Sequence, residues 1–242
     1  MPPMSDDGQK ILGMGRDRVE LISTIVLSIA TIFVAWSAFQ SGKWSGVQAI
    51  AFSEAGAARV ESTRFDTEAG QQTQIDITLF TEWIGAIFSE LDDGIEVIDA
   101  DGEFVPIRGT FSNFLYLRMR AEFKPALEAW LDTDPVNNAD APPSPFAMED
   151  YQVASRVEAD RFLAEAEAKS QEARDANQIS DTYVLTAVLF AMVLFFGGVA
   201  SKLERRGSRM VALGAAVVFV VLGVITLASL PIELGDEFFF LR

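Results

Sequence analysis

The 242-residue chain contains no cysteine and no histidine. The first absence excludes disulfides, thiolate metal sites and a cysteine nucleophile. The second excludes histidine-dependent triads, imidazole ligation of haem and the usual zinc sites. Positive charge is scarce: 19 Lys+Arg stand against 35 Asp+Glu, a net charge of -16, so no basic surface for nucleic acid is expected. Phosphate-binding loops are missing too, because Gly197-Gly198 and Gly13-Met14-Gly15 lack the rest of any such motif. No cofactor is expected.

Apolar sequence is abundant. Half of the residues are hydrophobic and the mean hydropathy is +0.22, too apolar for an ordinary acidic soluble protein. Charged residues are absent from 21–42, 182–201 and 210–232. As a helix rising about 1.5 Å per residue, each run reaches the ~30 Å of a bilayer's hydrocarbon core. Lys10, Arg16 and Arg18 precede the first run, and Lys202, Arg205, Arg206 and Arg209 fill the connection between the second and third. Basic flanks stay in the cytoplasm, which predicts an internal N-terminus with residues 43–181 and the C-terminus outside. The first run follows basic residues and precedes small ones, as in a signal peptide, but it is longer than a typical signal and reads as an uncleaved anchor.

The expected organisation is a cytoplasmic tail at 1–18, transmembrane helices at 19–42, 182–201 and 210–232, an external domain at 43–181, a basic loop at 202–209 and an external Phe-rich tail at 233–242. The external domain carries 27 Asp+Glu against 11 Lys+Arg, hence all of the net charge. That field reads as solubility, with a cation or a basic partner protein as the alternative.

Beyond Gly42 the apolar pattern narrows to a stripe. Trp44, Val47, Ala51, Ala55, Ala58, Ser62, Phe65, Ala69, Gln72, Asp76, Leu79, Trp83 and Ala86 follow at spacings of three or four, one face of a helix. Unbroken to residue 88, this helix would project ~65 Å from the membrane; Gly56, Gly70 and Gly85 mark places for a kink. A matching stripe, Ala159, Phe162, Ala166, Ser170, Ala173, Asn177 and Ser180, precedes the second run, with Ser144 as the expected N-cap and Pro145 as the first helical residue. Small side chains in both stripes predict close antiparallel packing. The expected fold is an all-α membrane protein whose first and second spans extend as antiparallel helices, 43–88 and 145–181, into a coiled-coil stalk bearing a small helical head at 89–144. In that head, Asp99-Ala100-Asp101-Gly102 predicts a short hairpin, a helix is expected from 110 to 131 with a kink or restart at Pro125, and 132–145 is a loop.

Candidate chemistry is thin. Asp92, Asp93, Glu96, Asp99, Asp101 and Glu103 offer oxygen ligands, but the spacing is not that of an EF-hand, so a solvated turn is the expectation and no metal site is assigned. Paired carboxylates acting as in glycosidases would need a cleft. The spans carry no ionisable residue, which disfavours a carrier. Ser23, Thr24, Ser28 and Thr31 are candidate pore-lining hydroxyls, although such groups more often bond to their own backbone. Ala212 with Ala216, and Gly197 with Ser201, are small pairs suited to helix contacts. Trp36, Trp44 and Tyr183 fall where interfacial anchors sit. Four consecutive large apolar residues, Phe238, Phe239, Phe240 and Leu241, follow an acidic linker and are the candidate partner-docking residues, folding back onto the interface, packing under the head or docking into another subunit.

Several blocks, Trp36-Ser37-Ala38-Phe39-Gln40, Trp44-Ser45-Gly46-Val47-Gln48, Gly70-Gln71-Gln72-Thr73-Gln74-Ile75-Asp76, Glu122-Phe123-Lys124-Pro125-Ala126, Ala129-Trp130-Leu131, Ala141-Pro142-Pro143-Ser144-Pro145-Phe146 and Tyr183-Val184-Leu185-Thr186, resemble a group of bacterial three-helix integral membrane proteins with a large extracytoplasmic helical domain and no assigned activity. The resemblance covers most of 20–205 and implies this topology in a bacterial inner membrane. The expected role is a non-catalytic accessory subunit that presents its external domain to a membrane protein partner or to copies of itself. The alternative is an oligomeric channel or sensor coupling an external signal through the stalk.

Overall fold

The computed structural model of the protein describes the backbone of residues 6–99 and 102–234, with the side chains of Leu21 and of residues 24–99 and 102–234. Five helices follow in order: α1 (Asp6–Asp92), α2 (Phe111–Tyr116), α3 (Lys124–Leu131), α4 (Ala154–Lys202) and α5 (Arg206–Ser229), with a 3-10 turn at Pro145–Ala147 between α3 and α4. Among the described residues there is no strand, only a single antiparallel bridge between Ile98 and Phe104. Helices α1, α4 and α5 each include a stretch long and apolar enough to cross a membrane. The chain divides into two compact units, Met1–Glu54 with Ala168–Arg242, and Ala55–Glu167.

In the first unit the apolar parts of α1, α4 and α5 pack around Ala30, Phe190 and Val193. The Phe33 and Phe190 rings lie 4.9 Å apart, and Phe196 stacks on Phe219 at 5.6 Å. Two glycines permit this approach. A Cβ on Gly197 would sit 2.7 Å from Leu27 Cδ2, and one on Gly223 would sit 3.0 Å from Phe190 Cζ. Ala212 and Ala216 are buried, as expected of a packing pair, whereas Ser201 is exposed and donates to Gly198 O. Gly223→Leu would drive a branched side chain into the Phe190 ring, an overpacking cost of about 1–3 kcal/mol. The melting temperature of the detergent-solubilised protein should fall accordingly, and an unchanged value would show that the two helices do not touch there.

Further along the same unit, Ala51, Ala173 and Ser180 are buried and Trp44, Val47 and Asn177 half-buried. The Ser180 hydroxyl lies 3.0 Å from those of both Ser41 and Ser45. Lys169 bridges Glu54 at 2.8 Å and Glu172 at 3.0 Å, and these two carboxylates raise its pKa.

In the second unit α1 stays helical through Gly56, Gly70 and Gly85, with no interruption where the sequence predicted a kink. Each glycine weakens the helix by roughly 1 kcal/mol, an amount offset by burial of the inward apolar residues Ala55, Ala58, Ala69, Trp83 and Ala86. Phe65 stacks on Phe162 at 5.6 Å, and Ser62 Oγ donates to Ala159 O at 2.9 Å. Helix α1 ends at a left-handed glycine, Gly94 (φ 80°), where Ile95 N donates to Glu90 O and Gly94 N to Leu91 O. These two bonds satisfy carbonyls that the helix end would otherwise leave bare.

The core of this unit is aromatic. Trp83, Ile87, Val97, Leu115, Met119, Phe123, Leu127 and Trp130 are buried, with Phe80, Phe104, Phe146 and Tyr151 packed against them. Three local expectations need correction. The helix expected over 110–131 is two helices, because residues 117–123 form turns that bury Met119 and Phe123, and Pro125 restarts the chain in the first turn of α3, where its missing N–H is harmless. Ser144 and Pro145 begin only the 3-10 turn, without a side-chain cap bond, and α4 starts at Ala154 because Phe146 and Tyr151 turn into the core between them. The hairpin reduces to the Ile98–Phe104 bridge, flanked by Asp99 N to Glu103 O at 3.0 Å and Val105 N to Val97 O at 2.9 Å.

Candidate functional site

In the second unit one carboxylate ties three segments together. Asp76, on α1, is fully buried. Arg120, from the turns between α2 and α3, reaches it through Nε to Oδ1 at 3.0 Å and Nη2 to Oδ2 at 2.6 Å. Tyr151, from the segment before α4, donates its hydroxyl to Oδ2 at 3.1 Å. Arg120 Nη1 also meets Glu122 at 2.5 Å. A buried carboxylate is tolerable only with such a partner, and the two-pronged guanidinium supplies charge and geometry together. Asp76 in turn raises the pKa of Arg120. With both oxygens engaged, Asp76 is a structural tie rather than a general base.

Burial raises the Tyr151 pKa, and burial with the Glu128 carboxylate at 2.9 Å raises that of Tyr116. Both phenols therefore favour the neutral form in the folded state. Their contribution to stability is intact below the ordinary tyrosine pKa of about 10 and is lost as pH rises through the higher folded values. Absorbance at 295 nm should show Tyr116 and Tyr151 ionising late in the native protein and at the ordinary pH in denaturant; coincident curves would contradict the burial.

Close by in the same unit, Glu90 Oε1 accepts from the backbone N–H groups of Phe111 (2.6 Å) and Ser112 (3.0 Å), joining the end of α1 to the start of α2. Among the described residues, Glu90 Oε2 and Trp83 Nε1 are buried and meet no hydrogen-bond partner. A cleft of about 410 Å³ opens beside Trp83, lined by Ile87, Phe88, Leu91, Trp130 and Val136. Its walls are apolar, with Asp99 and Asn137 among the lining polar groups.

In the first unit a polar cluster fastens the chain after α5. Gln40 Nε2 donates to Glu233 O at 3.1 Å, and Glu233 N donates to Gln40 Oε1 at 3.0 Å. Pro231 O accepts from both Trp44 Nε1 (3.2 Å) and the Tyr183 hydroxyl (2.9 Å). Tyr183 is thus fully buried, where an interfacial anchor would expose its ring; the bond to Pro231 draws it inward. Phe238, Phe239, Phe240 and Leu241 lie outside the described residues. Gln40→Leu removes two hydrogen bonds and should destabilise the unit by about 1–3 kcal/mol, with faster cleavage by proteases within 230–234. Cleavage at the native rate would rule out the fastening.

Asp92, Asp93, Glu96, Asp99 and Glu103 are all exposed, and Asp101 lies outside the described residues. The Asp99 carboxylate accepts from Glu103 N at 2.9 Å, closing its own turn. Among the described residues no group of three or more Asp or Glu is arranged to hold a metal ion. Of the span hydroxyls, Ser28 donates to Thr24 O and Thr31 to Leu27 O, each at 2.9 Å within its own helix; the Ser23 side chain lies outside the described residues. Arg120, Tyr151 and Glu90 were not singled out by sequence reasoning; Gln40 appeared only within a resembling block, and Asp76 only as a stripe position and the end of another such block. Two signals pointed to them: Asp76 is the one charge in that stripe, and Gln40 is the one amide within the charge-free run 21–42. Family models, curated proteins and solved structures yield no match to the chain.

Proposed function

We propose that the protein is a non-catalytic membrane subunit, anchored by three transmembrane helices, that presents its acidic helical domain outside the cytoplasm to a partner or to copies of itself. The observation that carries this reading is where the large apolar side chains lie. On the three apolar helices Ile32, Val211, Phe195 and Ile225 are 66%, 75%, 60% and 62% exposed. Such a surface is untenable in water and matches lipid. Lys202, Arg205, Arg206 and Arg209 favour a cytoplasmic connection between α4 and α5, which puts residues 43–181 outside. A presenting role is supported by the engagement of Asp76 in structure and by exposed apolar side chains in the Ala55–Glu167 unit, Phe88, Leu117 and Val136 among them.

The full chain should resist extraction from membranes at alkaline pH, and trypsin added outside spheroplasts should cut after Arg108, which is exposed in a turn, while sparing Arg205 and Arg206. In mild detergent it should run as an oligomer or with a co-purifying protein. A lone monomer would overturn the scaffold role, and cleavage at Arg205 from outside would overturn the orientation.

A further inference from the structure

The cleft beside Trp83 lies wholly within the Ala55–Glu167 unit, between the end of α1, the turn after it and the loop after α3. Trp83, Ile87 and Trp130 form its floor and are buried. At its mouth Phe88 and Val136 are 63% and 82% exposed, with Leu91 exposed beside them. Large apolar side chains that converge on an open hollow are costly in water, and each would shed water onto an occupant. The volume, about 410 Å³, falls within the ~300–1,000 Å³ typical of small-molecule sites.

Charge at this cleft has one sign. Asp99 and Asp134 line it with Asn137, and among the described residues no Lys or Arg does. Both Asp134 oxygens accept from Asn137 Nδ2, at 3.0 and 3.2 Å, and a neutral amide donor leaves the negative charge in place. The unit as a whole holds 23 Asp+Glu against 8 Lys+Arg, so its field repels an anion and draws a cation. The two indoles of the floor act in the same direction, because aromatic faces attract cations.

We infer that this cleft binds an apolar cation, a small organic amine whose hydrocarbon body fills the hollow and whose ammonium sits at the mouth beside Asp99 and Asp134. Apolar walls supply the affinity and the carboxylates select the sign of charge. A neutral hydrocarbon would use the walls alone, and a carboxylic acid of the same shape would meet like charge. The inference stands apart from the membrane reading, since every residue it uses belongs to one unit.

Two probes of one shape and opposite charge test it: para-bromobenzylamine and para-bromobenzoate, whose bromine quenches tryptophan fluorescence on contact. With the full-length chain in a maltoside detergent at neutral pH, the amine should quench saturably and the benzoate should not. Val136→Arg, at an exposed position, places a cation at the mouth and should abolish the saturable component with circular dichroism unchanged. Trp36 and Trp44 lie outside the Ala55–Glu167 unit, so quenching there would survive this substitution. Asp134→Asn keeps an acceptor for Asn137 and suits the left-handed backbone at φ 50°, so the fold should hold while affinity for the amine falls about two- to fivefold. No saturable quenching by the amine, equal saturation by the benzoate, or full affinity in folded Val136→Arg overturns the inference.

Discussion

Replacing Asp76 by alanine should destabilise the Ala55–Glu167 unit by about 3 kcal/mol, the lower end of what breaking a buried ion pair costs. The lower end applies because Arg120 keeps Glu122 at 2.5 Å and is itself 20% exposed. Tyr151, part-buried, loses its acceptor on Asp76. Most of the loss is thus the penalty of a guanidinium left in a poor environment. The control is the double variant Asp76→Leu with Arg120→Met. Removing both charges and refilling the volume should restore most of the stability, since well-packed apolar residues commonly match or exceed a buried pair. Chemical denaturation followed by tryptophan fluorescence would read both, as Trp83 and Trp130 lie in this unit's core. If the double variant is as unstable as Asp76→Ala, the pair acts through something other than charge burial.

That pair also shows how far the sequence could be read. The apolar runs were legible because hydrophobic length is a local property, and all three reappear in α1, α4 and α5. The stripes were legible for the same reason: every stripe position from Trp44 to Ala86, and from Ala159 to Ser180, is buried or half-buried. The partner of Asp76 was not legible, because Arg120 lies 44 residues away and its place depends on turns that periodicity does not encode. The break between α2 and α3 was hidden likewise, since residues 110–131 keep helical apolar spacing while burial of Met119 and Phe123 rewards turns. Gln40 meets backbone atoms of Glu233 across 193 residues, and no side-chain pattern announces a backbone acceptor.

Phe123→Ala should cost about 3–5 kcal/mol, the range for deleting a buried aromatic side chain. Phe123 has no exposed surface. Its ring stacks on Phe146 at 5.3 Å and meets Tyr151 edge-on at 5.8 Å and Phe80 at 6.4 Å. Phe80 also touches Trp130 at 5.4 Å, so one ring holds α1, α3 and the segment before α4 to a common centre. Against a total domain stability of about 5–15 kcal/mol, that loss is enough to unfold a marginal unit. Phe111→Ala is the contrast: the residue is 55% exposed and among the described aromatics stacks on Phe114 alone, so its loss should fall within about 0.5 kcal/mol, as at ordinary surface sites. The signature to seek is selective. In Phe123→Ala, trypsin should cut rapidly at Arg118 and Arg120 while the apolar helices stay intact, because their core of Ala30, Phe190 and Val193 shares no residue with the aromatic one. Simultaneous loss of both would show that the two cores fold as one.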